Sequence, residues 1–509
     1  MPNIVKLYGP PGTGKTTRLT AQAMRSIEMY GPDRVAGLTF TRAAADELKL
    51  RIAAGLGLKP PLDQRARKRY LDQTIPWFGT IHSLSLKMCG GKVLTASDIR
   101  DFAAAQGGSA NGTLSEDTDS YTWAEPGSDE ITAALAIWAA ARHRLVTIEQ
   151  AWNLVPWDMH GPTVSVGRAE RIAKQYEDYK QQIGKIDFED MLILGKAEMP
   201  PVDVVLADEV QDNSPLLWSV LDTWSHDRFT ALAGDPYQAI YLFSGAEPSL
   251  FIEHVGALQS LGDSRRLTAR AAERAQHVLR EAGYREARWL DTWTGIGEGN
   301  GTDGSEFYLA RTARLLQNVY RDLEDQGIPF GYTRGGGPLE TKAADSFRTL
   351  MHLKTRGVAP AHAVWSLAES CGARVLPHGE KARLHRAAQA EPDALISAEE
   401  IERAWGTLNP VTLGLKNGGY MQRVYARHGI GAFLNPPSVR VGTIHSAKGK
   451  EADVVHLVDS WGTLPYRNTL EPKGRRAEGC VAYVALTRHR SKLQFIRAGM
   501  RDGTPYPGF

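Results

Sequence analysis

Short apolar runs that end in glycine or polar residues recur along the chain. The first is Ile4–Tyr8, and further runs cover 34–40, 202–207 and 229–233. Short, continuously apolar runs are typical of strands in parallel sheets, because crossover helices bury both faces of such sheets. Helical patterns separate the runs, so we predict an α/β layer architecture for this part of the chain.

The second half of the chain repeats this alternation. Four further apolar runs predict a second α/β core: 306–310, 439–443, 453–458 and 492–496. A long stretch within each core has a mainly helical pattern, and the first stretch includes a Gly/Ser/Asn-rich loop near 107–120. We therefore predict two cores, each with a helical insertion. The predicted boundaries are 1–90 with 185–263 for the first core, 91–184 for its insertion, 264–335 with 435–509 for the second core, and 336–434 for its insertion.

The strand Ile4–Tyr8 leads directly into a complete G-x-x-x-x-G-K-T segment followed by a second threonine. Its residues are Gly9, Pro10, Pro11, Gly12, Thr13, Gly14, Lys15, Thr16 and Thr17. A helix is predicted to begin at about Gly14, and the order strand, loop, helix is the context in which this segment binds phosphate. Backbone N–H groups and the helix dipole converge there. We therefore predict a nucleoside triphosphate site, with Lys15 on the outer phosphates and Thr16 on Mg²⁺.

Length and composition indicate a multidomain, soluble, cytoplasmic protein. The 509 residues exceed what one core accommodates, and neither a signal-like segment nor an apolar run of about 18 residues is found. The cysteines, Cys89, Cys371 and Cys480, form no metal-ligand pattern. Net charge is only +2, so nucleic-acid affinity has to come from local patches. The densest, Arg65–Arg69, is either such a patch or a solvated helix face.

A second ATPase element follows the third apolar run. Asp208 and Glu209 stand where this strand is predicted to end. Asp208 suits Mg²⁺ binding, and Glu209 suits a base that orients and deprotonates the attacking water. Gln238, after the next strand, is placed to hydrogen-bond the γ-phosphate and that water. Tyr241 and Phe243 follow it, and they either belong to the core or couple the phosphate state to base stacking.

Together these segments resemble the UvrD/Rep/PcrA group of superfamily 1 DNA helicases, which move 3′ to 5′. The resemblance covers both predicted cores, in the family's order. The matching segments are T-F-T-R-A-A-A-D-E-L at 39–48, G-T-I-H-S at 79–83, D-F-E-D-M-L at 187–192, the G-D-P-Y-Q segment at 234–246, S-R-R-L at 264–267 where the family has N-Y-R-S, Y-L-A-R-T at 308–312, T-I-H-S-A-K-G-K-E at 443–451 and A-Y-V-A-L-T-R at 482–488.

The resemblance implies two RecA-like parallel-sheet cores whose cleft closes on ATP. It implies that Arg266 and Arg488 reach from the second core to the transferred phosphoryl group, that Arg265 lies at the nucleotide, and that Glu451 contacts the ribose. The implied catalytic residues are Lys15, Asp208, Glu209, Gln238, Arg266 and Arg488. The implied contacts to single-stranded DNA are Phe40, Thr41, His82, Tyr241, Phe243, Arg311 and His445.

The sequence departs from the family pattern around the nucleotide. Only eight residues precede Gly9, so the family's adenine-recognition segment has no counterpart, and Arg265 replaces the tyrosine that stacks on adenine. We therefore expect relaxed selectivity among nucleoside triphosphates. Ser244 stands where the family usually has arginine, which suggests looser coupling to DNA. The short insertions, and the end of the chain 21 residues after Arg488, suggest a compact version such as phages or mobile elements carry.

The sequence therefore predicts a Mg²⁺- and ATP-dependent 3′–5′ DNA helicase. We expect it to act as a monomer on single-stranded DNA and at junctions between single and double strands, with no membrane partner. Two alternatives stay open. One is a single-strand translocase that displaces proteins with little unwinding, and the other is a P-loop phosphotransferase.

Overall fold

The structure is a computed structural model. It describes residues 3–110, 112–115, 120–123, 129–154, 163–242, 245–284, 292–301, 303–372 and 375–497, with the backbone alone for 112–115 and 120–123. The chain divides into two compact units. The first contains Met1–Gln276 and Glu286–Ile296, and the second contains His277–Arg285 and Gly297–Phe509.

The first unit is built on a parallel six-stranded sheet in the order β3-β2-β6-β7-β1-β8. The predicted strands at 4–8, 34–40, 202–207 and 229–233 are confirmed, and two short edge strands flank them. The strands of this unit are β1 Ile4–Tyr8, β2 Val35–Thr39, β3 Phe78–Thr80, β4 Gly112–Ser115, β5 Ser120–Trp123, β6 Val204–Ala207, β7 Phe229–Gly234, β8 Ala257–Ser260, β9 Asp263–Ser264 and β10 Thr294–Gly295.

Helices cover both faces of this sheet, because its central strands are buried on both sides. Leu19, Ala23 and Ile27 of the first helix pack into one apolar layer with Leu206 and Ala231. The helices are α1 Lys15–Tyr30, α2 Arg42–Gly55, α3 Gln64–Thr74, α4 Ile81–Cys89, α5 Ala96–Ala105, α6 Glu130–Arg144, α7 Ile148–Leu154, α8 Val166–Ile183, α9 Phe188–Ala197, α10 Pro215–Ser225, α11 Pro248–Glu253 and α12 Ala269–Glu281, which runs across the boundary between the units.

The insertion of the first unit is mainly helical, with α5 to α8 around its own apolar core. A buried ammonium ties this insertion to the sheet domain. Lys180 of α8 lies 2.5 Å from Asp187 and 2.7 Å from Asp190, at the start of α9. The segment predicted as a loop near 107–120 contains a hairpin strand instead, because β4 pairs antiparallel with β5.

The second unit contains a parallel five-stranded sheet in the order β12-β15-β11-β16-β17. All four predicted strands of this half are confirmed. The strands are β11 Glu306–Ala310, β12 Phe330–Tyr332, β13 Val358–Pro360, β14 Leu395–Ser397, β15 Val439–Thr443, β16 Ala452–Val458 and β17 His489–Ile496. Two parallel sheets with helices confirm the predicted α/β fold class of two RecA-like cores.

The second insertion is also mainly helical, and one large apolar cluster joins it to the sheet. Phe347 and Phe433, for example, stack at 5.0 Å between ring centroids. The helices of this unit are α13 Gln317–Asp325, α14 Lys342–Arg356, α15 Ala361–Ser370, α16 Glu380–Ala390, α17 Ala398–Trp405, α18 Gly418–His428, α19 Thr463–Asn468 and α20 Pro472–Leu486.

The boundary between the units differs from the predicted start of the second core at residue 264. Residues 264–276 belong to the first unit, and so do residues 286–296, whose strand β10 pairs with β9. The reason is local hydrogen bonding to the phosphate-binding loop: the Ser264 hydroxyl donates to the Pro11 carbonyl at 2.6 Å, and the Arg265 amide donates to the Gly12 carbonyl at 3.0 Å.

In the described part of the chain, no single helix is long and apolar enough to cross a bilayer. Only the α6–α7 pair, bent by 105°, meets the length and composition criteria when its two helices are taken together.

Candidate active site

The phosphate-binding loop connects β1 to α1 at the carboxyl edge of the sheet. Gly12 and Gly14 have φ of +78° and +86°, a conformation in which a side chain would be strained. A Cβ atom at Gly12 would also lie 2.5 Å from the Cβ of Arg266. Lys15 is buried, and its ammonium group donates to the Gly9 carbonyl at 2.6 Å. The loop is therefore formed, with its lysine held inside it.

Thr16 and Asp208 meet beside this loop. The Thr16 hydroxyl donates to the Asp208 carboxylate at 2.6 Å. Burial, and then the negative charge of Glu209, raise the pKa of Asp208 to about 6, although the Thr16 hydrogen bond and Lys15 oppose this shift. The site therefore carries more negative charge than its own cation compensates.

This donor set fits Mg²⁺. Mg²⁺ prefers oxygen ligands and is usually held by one or two side chains together with substrate phosphates. Thr16 and Asp208 supply a hydroxyl and a carboxylate beside the loop, and Asp208 forms no ion pair with a residue that the structure describes. The described residues contain no group of three or more His, Cys, Asp or Glu side chains that would suit a different metal.

A chain of hydrogen bonds joins Glu209 to Gln238. Glu209 has φ of +56°, which is costly for a residue other than glycine. Its carboxylate accepts from the Gln211 amide group, and the Gln211 carbonyl accepts from the Asp235 backbone N–H at 3.0 Å. Gln238 in turn donates to the Asp235 carboxylate at 2.9 Å. Gln211 had no predicted role, although its place two residues after Glu209 could have suggested one.

Arg265 and Arg266 follow β9 next to the loop. Arg265 is exposed and Arg266 half-buried, and both belong to the first unit rather than to the predicted second core. Thr17 is exposed on the first turn of α1, whereas Pro10 and Pro11 are buried and the Thr13 hydroxyl donates to the Pro10 carbonyl at 2.8 Å. The predicted nucleotide-binding residues of the first unit therefore surround one loop.

Two of the predicted base-stacking rings contact each other. Phe40 and Tyr241 stack with centroids 5.5 Å apart and planes at 23°, and both are half-buried. Thr41 caps α2 by accepting from the Ala44 amide at 3.2 Å. Phe243 lies outside the described residues.

His82 is enclosed, unlike these rings. It is 5% exposed and packs edge-on against Phe188. Burial, followed by the charges of His143 and Arg42, lowers the pKa of His82 to about 3. Within the described structure its Nε2 has no hydrogen-bond partner. The predicted contact between His82 and DNA is therefore not available in this conformation.

The end of α6 connects the insertion to the two segments that follow β6 and β7 and contain Glu209 and Gln238. Sequence reasoning missed this link. His143 lies 3.0 Å from the Ser214 hydroxyl and 3.4 Å from the Glu189 carboxylate. Arg144 donates to the Leu242 carbonyl at 2.7 Å, next to Tyr241. No sequence signal marks these residues, since the contacts exist only after the insertion folds back.

The remaining predicted residues lie in the second unit, where Arg311 follows β11 and His445 follows the neighbouring strand β15. Arg311 forms two hydrogen bonds of 2.8 Å with the buried carboxylate of Glu478. Trp461 donates to the same carboxylate at 2.7 Å. His445 is half-buried.

Arg488 and Glu451 complete the predicted set. Arg488 is 1% exposed, and its guanidinium donates to the Val484 carbonyl at 3.0 Å and the Lys450 carbonyl at 3.3 Å. Glu451 lies 3.7 Å from the guanidinium of Arg490. Both charged groups are therefore engaged within their own unit.

Comparisons with known protein families agree with this geometry. The family model of the UvrD/REP helicase N-terminal domain matches residues 2–256, half of the chain. The model of the UvrD-like helicase C-terminal domain matches residues 430–499. No curated protein matches the chain significantly. The comparisons give no support to a phage or mobile-element origin.

Proposed function

The chain belongs to the UvrD/REP helicase family and is therefore an ATP-driven DNA helicase, and we propose that it moves 3′ to 5′ along single-stranded DNA. The observation that carries ATP hydrolysis is the 2.6 Å contact between Thr16 and Asp208 beside Glu209. The polarity rests on the resemblance to the 3′–5′ group. We further propose that the substrate is a junction with a 3′ single strand, and that the monomer is active.

In this proposal Lys15 exchanges the Gly9 carbonyl for the outer phosphates, since the ammonium group already lies inside the loop. Thr16 and Asp208 would hold Mg²⁺, which neutralises charge on the phosphate oxygens when it is bound. Glu209 orients the attacking water and accepts its proton. Arg266 and Arg488 stabilise the charge of the transferred group, and Arg488 has to leave the Val484 and Lys450 carbonyls to do so.

Coupling to DNA is proposed to run from Gln238 to the aromatic pair. Gln238 is fixed on Asp235, and Tyr241 lies three residues further along the same segment. A shift of this segment on hydrolysis would change the stacking of Tyr241 on Phe40, and thereby the surface offered to bases. Arg311, while it stays paired with Glu478, and His445 would contribute the second unit's contacts to the strand, and Glu451 its contact to the ribose.

The test compares wild type with Lys15→Ala and Glu209→Gln. We expect single-stranded DNA to raise the ATPase activity of the wild type. We also expect the wild type to unwind a duplex with a 3′ tail but not one with a 5′ tail. Both variants should lose at least about 100-fold in turnover, because they remove phosphate binding and the base. The exposed Lys174→Ala serves as the control. Unaltered hydrolysis in both variants would refute the site, and unwinding from a 5′ tail would refute the polarity.

A further inference from the structure

Helix α3 carries a strongly basic surface that the proposed function does not use. Arg65, Arg67, Lys68 and Arg69 occupy four of five consecutive positions. Arg65, Lys68 and Arg69 share one helix face by their spacing of three and four residues, and all three are exposed. We propose that this face is a second DNA contact, which binds the phosphate backbone of double-stranded DNA. The proposal rests on the proposed function in that DNA is the partner.

The basic face has no counterion within the described structure. The natural partner is Asp72, which stands four residues after Lys68 and three after Arg69. Its carboxylate is instead bound by Lys49 of α2, at 2.5 Å. Asp63, before the helix, accepts from the Ala66 backbone amide at 2.7 Å as the helix cap. In the described part of the chain, no ion pair or side-chain hydrogen bond involves any of the four cations.

The local charge points to an extended anion. The whole chain has a net charge of only +2, whereas residues 65–69 alone carry four positive charges. Residues 65–69 rise about 6 Å along the helix axis. B-DNA carries one phosphate per strand about every 3.4 Å of helix axis, so the length of the three exposed cations matches that of neighbouring phosphates. Long, flexible side chains of this kind position a protein on DNA without reading its sequence.

Double-stranded DNA fits this face better than a single strand does. Proteins that bind single strands combine cations with aromatic rings on which bases stack. The only ring on α3 is Tyr70, which is half-buried and packs against the apolar cluster under the sheet. The face thus offers contacts to the backbone and none to bases.

Helix α3 is exposed along its length and precedes an edge strand. The helix leads directly into β3, which is an edge strand of the six-stranded sheet. The sheet of this unit therefore does not continue beyond it. Apart from Leu71, every residue of the helix is at least partly exposed.

The experiment measures binding of the full chain to a blunt duplex by fluorescence anisotropy without nucleotide, from 50 to 200 mM salt. The test variant is Arg65→Gln/Lys68→Gln/Arg69→Gln. The control, Arg100→Gln/Arg171→Gln/Lys174→Gln, removes the same charge from three exposed cations of the insertion. We expect the slope of log K against log salt to fall by about 2.7 in the test variant only, since each phosphate contact contributes about 0.9. Over this salt range, wild-type affinity should therefore decrease about 40-fold more than that of the test variant.

Single-strand-stimulated ATPase is measured on the same proteins and should stay within about twofold of wild type. An unchanged duplex slope in the test variant would overturn the proposal, and so would an equal change in the control. Equal loss of single-strand stimulation would also overturn it, because the face would then belong to the single-strand track. Absence of stimulated ATPase in wild type would refute the proposed function instead, while the nucleotide-free duplex measurement would still test α3.

Discussion

Asp208 of the first unit and Glu478 of the second are both buried carboxylates, but different groups compensate their negative charge. Asp208 of the first unit accepts from the neutral hydroxyl of Thr16, and its pKa rises to about 6. Glu478 of the second unit accepts two hydrogen bonds from Arg311 and a third from Trp461. The first carboxylate is thus incompletely compensated, whereas the second has a full countercharge and three donors.

This difference separates a binding site from a structural pair. A buried charge without a partner is costly, and an arriving cation relieves that cost. A buried charge with complete partners gains little from a ligand and loses much when a partner is removed. We therefore expect removal of the cation that pairs with Glu478 and removal of the charge on Asp208 to change stability in opposite directions.

The largest expected effect comes from breaking the pair of the second unit. Arg311→Met leaves Glu478 buried without its cation and should lower the free energy of unfolding by about 3–5 kcal/mol. Denaturant-induced unfolding measures this loss. Arg311→Met/Glu478→Gln should recover most of it, because the amide is neutral and its oxygen still accepts from Trp461.

The exposed pair Arg34–Asp203 is a matched control, since it has the same two-hydrogen-bond geometry, at 2.7 and 2.6 Å. Its side chains are 43% and 42% exposed, so Arg34→Met should cost less than about 1 kcal/mol. Equal losses in Arg311→Met and Arg34→Met would contradict the assignment of Arg311 to a structural pair.

The second effect has the opposite sign. Between its unfolded pKa of 3.8 and its folded pKa of about 6, Asp208 binds more protons in the folded state, so its contribution to stability falls as pH rises through this window. Asp208→Asn removes that loss. We expect the nucleotide-free variant to be more stable than wild type by about 1–3 kcal/mol at pH 7, while ATP hydrolysis is abolished.

The pH dependence makes this prediction specific. The difference between Asp208→Asn and wild type should shrink as pH falls from 6 to 4 and vanish at about pH 3, where Asp208 is largely neutral in both states. Apparent Mg²⁺ affinity of the wild type should decrease over the same interval, since a proton competes for the carboxylate. A stability difference that does not depend on pH between 4 and 7 would show that the charge of Asp208 is not its cause.

The sequence predicts the elements of the fold that depend on local pattern. The central strands were predictable because they are mostly apolar, as the continuous run V-V-L-A at 204–207 shows. The edge strand Ala257–Ser260 was not, because all four of its side chains are exposed and it lacks an apolar run. The hairpin that pairs 112–115 with 120–123 was read as a loop, since the stretch 107–120 contains three glycines and three serines.

The candidate site follows the same division. The loop residues and the Thr16–Asp208 contact were predictable, because a local motif and the end of a neighbouring strand place them. The burial of His82 and of Arg488 was not, because it depends on which segments pack over them. Gln211 was missed for a related reason, since its partners Glu209 and Asp235 come together only when β6 and β7 pair.

The smallest expected effect tests how Glu209 is positioned in the active site of the first unit. Gln211 is fully buried and joins the carboxylate of Glu209 to the backbone of Asp235. Gln211→Ala should lower kcat of DNA-stimulated ATP hydrolysis about tenfold, or about 1.4 kcal/mol, with KM for ATP within about twofold. The reason is that Glu209 loses the group that orients it, whereas the phosphate-binding loop is unaltered.

Two further variants separate positioning from simple loss of stability. Gln276 is a buried glutamine of the same unit that donates to the Trp293 carbonyl at 2.8 Å, so Gln276→Ala should lower stability without changing kcat. Gln211→Glu keeps an acceptor for the Asp235 amide but places a second carboxylate beside Glu209. Like charges raise the pKa of a carboxylate, so the acid limb of the kcat profile should move to higher pH. If Gln211→Glu retains the wild-type pH profile, Gln211 does not position Glu209. The connection between Glu209 and Asp235 then has to run through another residue.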